Sequence, residues 1–326
     1  MPTLFIGDLH IDKLNHRLPN FTNLVIKTLS DTIDMGLKRG IDRVILCGDI
    51  YDGPFPRQST QVKFLSCLAK KDVQFDILLG NHDSSNTNEH SLETAKWVGK
   101  QKLSNIRVIT KPTTVKTEEG DDLWLLPHPY VEDLPKKYLL GVGHFAVNGA
   151  RSDNGFKVRS KHCPKGRWIL GDFHEPQGGR VNSCKYTYVG SLSQLGILEK
   201  PNKRVLLLED GELSSLKVPL SYTLKRAEVH TLNDLPDVSD RTVYWQIKYA
   251  SNFKFPAGWL FENTNIIQTS PIMVRKDKRA NVLLEDSEYR IDPLKSLEPY
   301  LRTRKYQEKV IQRALKIAHK LRTSSM

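Results

Sequence analysis

Five times in its first 174 residues the chain repeats one arrangement: a short, β-rich apolar run that ends in glycine and a cluster of polar side chains. Thr3 to Ile6 leads into Gly7-Asp8-Leu9-His10, and Arg43 to Cys47 into Gly48-Asp49-Ile50-Tyr51-Asp52. Phe75 to Leu79 leads into Gly80-Asn81-His82-Asp83, Leu139 to Val142 into Gly143-His144, and Trp168 to Leu170 into Gly171-Asp172-Phe173-His174. Short apolar runs closed by glycine read as buried strands. Asn23 to Arg39 has helical spacing (Leu24, Val25, Thr28, Leu29, Ile33, Leu37) with Gly40 as a stop, and Gln58 to Lys70 and Ser91 to Trp97 predict further helices. Leu123 to Leu126, Tyr186 to Val189 and Val205 to Leu208 predict strands without intervening helices. The pattern is that of an α/β body whose second half adds a more antiparallel sheet. Ligands in open α/β sheets gather beyond the carboxyl ends of strands, where every polar cluster named above falls.

The residue types in those clusters suit one chemistry. A hydrolytic two-metal site needs hard oxygen ligands, imidazoles and a carboxylate that can touch two ions about 3.5–4 Å apart. Asp8 and His10, and likewise Asp172 and His174, are spaced to share one face of an extended segment. A single Asp-x-His is more often a strand-end cap or surface turn, but five clusters in order, each ending a strand, are not a coincidence of that kind. His128, in Leu125-Leu126-Pro127-His128-Pro129-Tyr130, could border the same region, although a structural role is the commoner one. His16, His90, His162, His230 and His319 have no partner pattern.

On these residues the sequence resembles the calcineurin-like metallophosphoesterases, and within them the SbcD-type recombination and double-strand-break repair nucleases, including their short phage versions. Gly48 to Asp52, Gly80 to Asp83, Gly143-His144 and Tyr188-Val189-Gly190-Ser191-Leu192 carry the resemblance, which extends to about residue 220. It implies a four-layer αββα sandwich over residues 1–222, a small α/β capping and DNA-binding domain over 223–290, and C-terminal partner-binding helices over 291–326. It implies one metal ion held by Asp8, His10, Asp49 and His174, and a second by Asp49, Asn81, His144 and position 172. His82 would face the scissile phosphodiester, with Asp83 orienting it. The family has Gly-His-x-His in the last motif where this chain has Gly171-Asp172-Phe173-His174. Asp is a competent oxygen ligand and favours Mn²⁺, or Mg²⁺, over softer metals.

Charge is where composition enters. The 49 Lys and Arg against 37 Asp and Glu give +12, which points toward polyanions. The excess is concentrated in three segments. Residues 149–167 hold Arg151, Lys157, Arg159, Lys161, Lys165 and Arg167 against Asp153; residues 271–280 hold Arg275, Lys276, Lys278 and Arg279 against Asp277; residues 301–326 hold eight basic residues against Glu308. The first two are expected to meet DNA phosphates, through Arg151, Lys157, Arg159, Lys161, Arg275 and Lys276. In the third, Val310, Ala314, Ile317 and Leu321 recur at helical spacing beside a basic stripe. In the family such C-terminal helices dock on an SMC-like ATPase of SbcC type.

Four scattered cysteines do not make a disulfide framework, and no run approaches the roughly 18 apolar residues of a membrane span. The start has neither a basic segment nor a small-residue cleavage site. The expectation is a soluble cytoplasmic homodimer, in the host cytoplasm if phage-encoded, that cleaves double-stranded DNA ends, with single strands as the alternative substrate, using two divalent ions. The rival readings are a phosphatase or small-molecule phosphodiesterase on the same fold, and a catalytically weakened DNA-end scaffold.

Overall fold

The computed structural model describes residues 2–18, 20–85, 89–116, 122–129, 138–153, 155–160, 162, 164–272 and 308. The strand runs expected from the sequence are present, and they build two six-stranded sheets. Four mutually parallel strands come first: β1 (Thr3–Ile6), β2 (Arg43–Leu46), β3 (Gln74–Leu78) and β4 (Ile106–Ile109). The chain then lays down β5 (Thr113–Lys116), β6 (Asp122–Leu126), β7 (Leu140–His144), β8 (Gly166–Gly171), β9 (Gln177–Val181) and β10 (Cys184–Tyr188) as a second sheet. It returns to the first with β11 (Arg204–Glu209) and β12 (Glu212–Lys217), joined through Asp210 and Gly211. Both of those residues have positive φ, the tight hairpin turn that Asp-Gly favours. The strand orders are β12-β11-β1-β2-β3-β4 and β5-β6-β7-β8-β10-β9.

Alternation along each strand sorts the core into layers. Leu4, Ile6, Val44, Leu46, Phe75 and Ile77 face outward from the first sheet. They are covered by Phe21, Val25, Leu29 and Ile33 of helix α1 (Phe21–Leu37), by Phe64 and Leu68 of α2 (Gln58–Leu68) and by Ala95 of α3 (Glu93–Gln101). Their alternates Phe5, Ile45 and Leu78 meet Leu123, Leu125, Leu140, Val142 and Ile169 between the sheets. The outer face of the second sheet carries Trp124, Leu126, Trp168, Leu170, Tyr186 and Tyr188, packed against Phe145, Val147 and Ala150 of the following loop. The two sheets thus pack face to face as an α/β sandwich, with helices over the first. Trp168 is fully buried, edge-on to Phe145 at 5.3 Å and Tyr138 at 5.8 Å. Trp168→Ala should therefore cost about 3–5 kcal/mol in chemical denaturation; a loss under about 1 kcal/mol would mean that this third layer is not a packed core.

The second sheet differs from its sequence expectation. Its centre (β6, β7, β8, β10) is parallel, and only the rims β5 and β9 run antiparallel. Among the described residues no helix lies in the β6–β7 and β7–β8 connections, and the sequence offers no helical spacing there to announce parallel pairing. A third sheet, β13 (Thr223–Val229), β14 (Val243–Tyr249) and β15 (Ile266–Pro271), is parallel throughout. Leu224 at its start joins the first core cluster beside Tyr222. The expected C-terminal helix, with Val310, Ala314, Ile317 and Leu321, lies outside the described residues, as do Lys161, Arg275 and Lys276. No helix among the described residues is long and apolar enough to cross a membrane. Cys47, Cys67 and Cys184 are buried.

Candidate metal centre

The carboxyl ends of β1, β2 and β3 in one sheet and of β7 and β8 in the other bring the five clusters to one place. The loops are interlocked by backbone hydrogen bonds. Leu9 and His10 N–H both donate to the Asp49 carbonyl (2.9 and 3.0 Å), Leu192 N–H to the Asp8 carbonyl (3.1 Å), and Ser191 N–H to the His174 carbonyl (3.0 Å). The last two show what the Tyr188–Leu192 motif contributes: it ties the first metal motif to the last. Gly7 and Gly190 pass so closely that a Cβ on Gly7 would overlap the Gly190 carbonyl. Among the described non-glycine residues, five have positive φ. Asn182 and Asp210 are in hairpin turns; the other three are His10 (41°), Asp49 (50°) and Asp172 (95°). Left-handed backbone at a non-glycine residue costs energy and persists where surrounding contacts impose it, as it does at functional sites.

Asp49 is the centre of the arrangement. Its Oδ2 lies 3.4 Å from His10 Nε2, and its Oδ1 3.4 Å from His144 Nε2, while Oδ1 also accepts the His82 backbone N–H at 2.9 Å. Ligand atoms of His10, Asp49 and His82 fall within 4.8 Å of one another, and so do those of Asp8, Asp49 and His144. Asp8 is fully buried; one of its oxygens accepts the Asp172 N–H at 2.9 Å and the other, Oδ2, has no hydrogen-bond partner among the described residues. Asn81 Oδ1 is 2.8 Å from His144 Nε2, and Asp172 Oδ1 is 4.0 Å from it.

The donor set is that of a divalent cation site. His144 Nδ1 must donate to the Cys47 carbonyl at 2.7 Å, which leaves its Nε2 facing the oxygens of Asn81 and Asp49. His10 Nδ1 faces Asp52 at 3.1 Å, and His174 Nδ1 faces Asp153 at 3.2 Å and Glu199 at 3.3 Å. Their two Nε2 atoms then meet at 3.3 Å. Acceptors crowded in this way call for a shared positive charge, and oxygen with imidazole suits a hard or borderline divalent ion. The orphaned Asp8 oxygen is a further donor of the same kind. A Cβ at Gly80 would collide with Asp49 Oδ1, so the glycine keeps that oxygen clear.

Electrostatics follow burial and these contacts. Burial raises Asp8, and raises Asp172 to about 6. Burial also lowers His10, although Asp52 and Asp49 oppose it. For Asp49, burial is outweighed by His144, His10 and His82, which hold the carboxyl below its ordinary range. For His144, burial is outweighed by Asp49, Asp8 and Asp172, and the ring is raised well above its ordinary value. His174 is raised as well, with burial outweighed by Glu199, Asp8 and Asp153. For Glu199, burial is outweighed by His174 and Lys203, which bring the carboxyl down to about 2.

Asp8, His10, Asp49, Asn81, His82, His144, Asp172 and His174 are thus brought together. The hydrogen bonds of Asp83 do not run to the His82 ring. The buried Asp83 carboxylate accepts N–H groups of Gly80 (3.0 Å), Ile50 (3.2 Å) and Tyr51 (3.3 Å) and the Ser91 hydroxyl (2.7 Å), so it locks the β2 and β3 loops together. The His82 ring is held by the Asp52 carbonyl, 3.1 Å from Nδ1, and its side chain is 40% exposed, the most open imidazole of the group. Asp52, Asp153, Glu199 and Lys203 were not singled out by sequence; the only signal was that Asp52 closes the Gly48–Asp52 run. His128 does border the site: with Asn81, His144, Arg159, Ser160, His162 and Asp172 it lines a cleft of about 460 Å³. Of the described residues expected to contact phosphate, Arg159 lines this cleft. Arg151 and Lys157, earlier in the same segment, face each other across an isolated antiparallel backbone bridge.

Residues 1–178 match the calcineurin-like phosphoesterase family model. Over 84 residues the chain is 30% identical to the DNA double-strand break repair protein Mre11 of Sulfurisphaera tokodaii, a match covering 25% of this chain and 22% of that protein. Two solved structures are similar at a TM-score of 0.37. One is an archaeal phosphodiesterase (14% identity, 67% of this chain and 100% of that one). The other is a hypothetical protein of Pyrococcus horikoshii OT3 (10% identity, 67% of this chain and 87% of that one).

Proposed function

The chain belongs to the calcineurin-like phosphoesterase family, and from that premise we propose that it is a metal-dependent DNA nuclease of the SbcD type. The observation that carries the hydrolytic reading is Asp49, whose two oxygens face separate imidazoles, His10 and His144. Asp8, His10, Asp49 and His174 would hold one divalent ion, and Asp49, Asn81, His144 and Asp172 the other, with Mn²⁺ favoured by the oxygen-rich set and Mg²⁺ an alternative. When bound, the pair supplies Lewis acidity toward the phosphate and the attacking water. His82, exposed beside this set, protonates the leaving oxygen. Asp52 holds its ring, and Asp83 fixes the loop that presents it. Arg159, with Arg151 and Lys157 on the same segment, steers the phosphate backbone into the cleft.

DNA as substrate is supported by the partial likeness to Mre11 and by the basic segment beside the cleft. The same reading extends to a cytoplasmic SbcCD-like complex with an SMC-like ATPase of SbcC type bound through residues 291–326. It also includes a homodimer formed through α2 and α3, where Val62 (56% exposed) and Trp97 (60%) present apolar surface. The test is hydrolysis of end-labelled duplex and single-stranded DNA against a small phosphodiester and a phosphomonoester, with Mn²⁺ or Mg²⁺. Cleavage of DNA is expected. Turnover of the small esters alone would overturn the nuclease reading. Asp172→His, measured in the same panel, should shift the Mn²⁺ to Mg²⁺ activity ratio by about tenfold or more, within the range that altering a metal's surroundings produces. An unchanged ratio would remove Asp172 from the ligand set.

A further inference from the structure

Glu199 and Lys203 lie in the connection between β10 and β11, outside every motif read from the sequence, yet both converge on His174. Lys203 is 1% exposed, and its Nζ donates to Glu199 Oε2 (2.8 Å), Ser191 Oγ (2.9 Å) and the His174 carbonyl (3.3 Å). Its three protons are therefore all used. Glu199 Oε2 also accepts Leu195 N–H at 3.0 Å, and its other oxygen, Oε1, stands 3.3 Å from His174 Nδ1. Asp153 reaches the same nitrogen at 3.2 Å from a more exposed position.

A buried lysine–carboxylate pair is an expensive way to hold a loop, because an apolar pair of similar volume is often as stable or more so. The ions do something an apolar pair could not. Glu199 accepts the Nδ1 proton and so directs the Nε2 lone pair toward His10, 3.3 Å away. Lys203 grips the backbone carbonyl of that same histidine. Ring and main chain are thus fixed together, as an outer carboxylate fixes the tautomer of an imidazole that binds a metal. We infer that Glu199 and Lys203 are a positioning pair that sets the tautomer and orientation of His174 for a divalent cation, an assignment that rests on the metal reading above.

The test is a Mn²⁺ titration followed by electron paramagnetic resonance, with denaturation in parallel, on wild type, Glu199→Gln, Lys203→Met and the double variant. Each single variant leaves one buried charge unpaired and should lose stability. The double variant removes both charges and should regain it. All three should still bind Mn²⁺ about 10–100-fold more weakly at one of the two positions. A double variant that binds Mn²⁺ like wild type overturns the pair's role, and one that does not fold makes the pair structural and overturns it too. Wild-type protein that takes up no Mn²⁺ would instead bring down the metal reading and the pair's role together.

Discussion

Asp49→Asn should abolish phosphodiester hydrolysis, by about 10³-fold or more, in a protein that still folds. The substitution keeps the shape of the side chain and one oxygen, so the His82 N–H retains an acceptor. What it removes is the charge and the second oxygen, and with them the ability to serve the His10 and His144 sides together. On the two-metal reading that double contact carries several kcal/mol of charge stabilisation, and each 1.4 kcal/mol is about tenfold in rate. Mn²⁺ uptake should fall with activity. Because His144 and His10 also lose the carboxylate they both face, the thermal midpoint of the metal-free protein should fall, while a single cooperative unfolding transition is retained. Asp49→Asn protein that retains a tenth of wild-type turnover would contradict the shared role.

His82→Gln should behave differently, and the contrast separates two roles within one cluster. His82 lies close enough to His10 and Asp49 to be read as a ligand: ring centroids of His82 and His10 are 4.8 Å apart, in an edge-on arrangement. Yet its side chain is 40% exposed while that of His10 is wholly buried, so it is open to substrate. If it delivers a proton to the leaving oxygen, kcat should fall about 10²–10⁴-fold. Mn²⁺ affinity and DNA binding should stay within a few-fold of wild type. A parallel loss of Mn²⁺ affinity would make His82 a ligand and leave the leaving group without this acid.

The parts of the site that the sequence disclosed are those that local chemistry dictates. Glycine ends each strand because loops must pass close together there, as at Gly7 against Gly190 and Gly80 against Asp49. The ligand-type residues follow each glycine directly, so their spacing is visible without knowledge of the fold. What stayed hidden depends on long-range packing. Asp83 stands next to His82 in sequence, but backbone N–H groups from the β2 loop and Ser91 take up its oxygens. The partner of the His82 ring, Asp52, comes from 30 residues earlier. Glu199 and Lys203 sit in a stretch with no apolar periodicity or motif, and only the return of the chain from the second sheet to the first places them behind His174. The parallel centre of the second sheet was hidden for a related reason. Its strands are joined without described helices, and the aromatic outer layer around Trp168 and Phe145 takes the covering place that helices hold over the first sheet.

The most direct measurement is anomalous diffraction at the manganese edge from crystals of the protein soaked in Mn²⁺. Two peaks are predicted: one touching Asp8, His10 and His174, the other touching Asn81, His144 and Asp172, with the Asp49 carboxylate between them in contact with both. A single peak that Asp49 does not touch, or none at all, would contradict the two-cation site on which the hydrolytic reading stands.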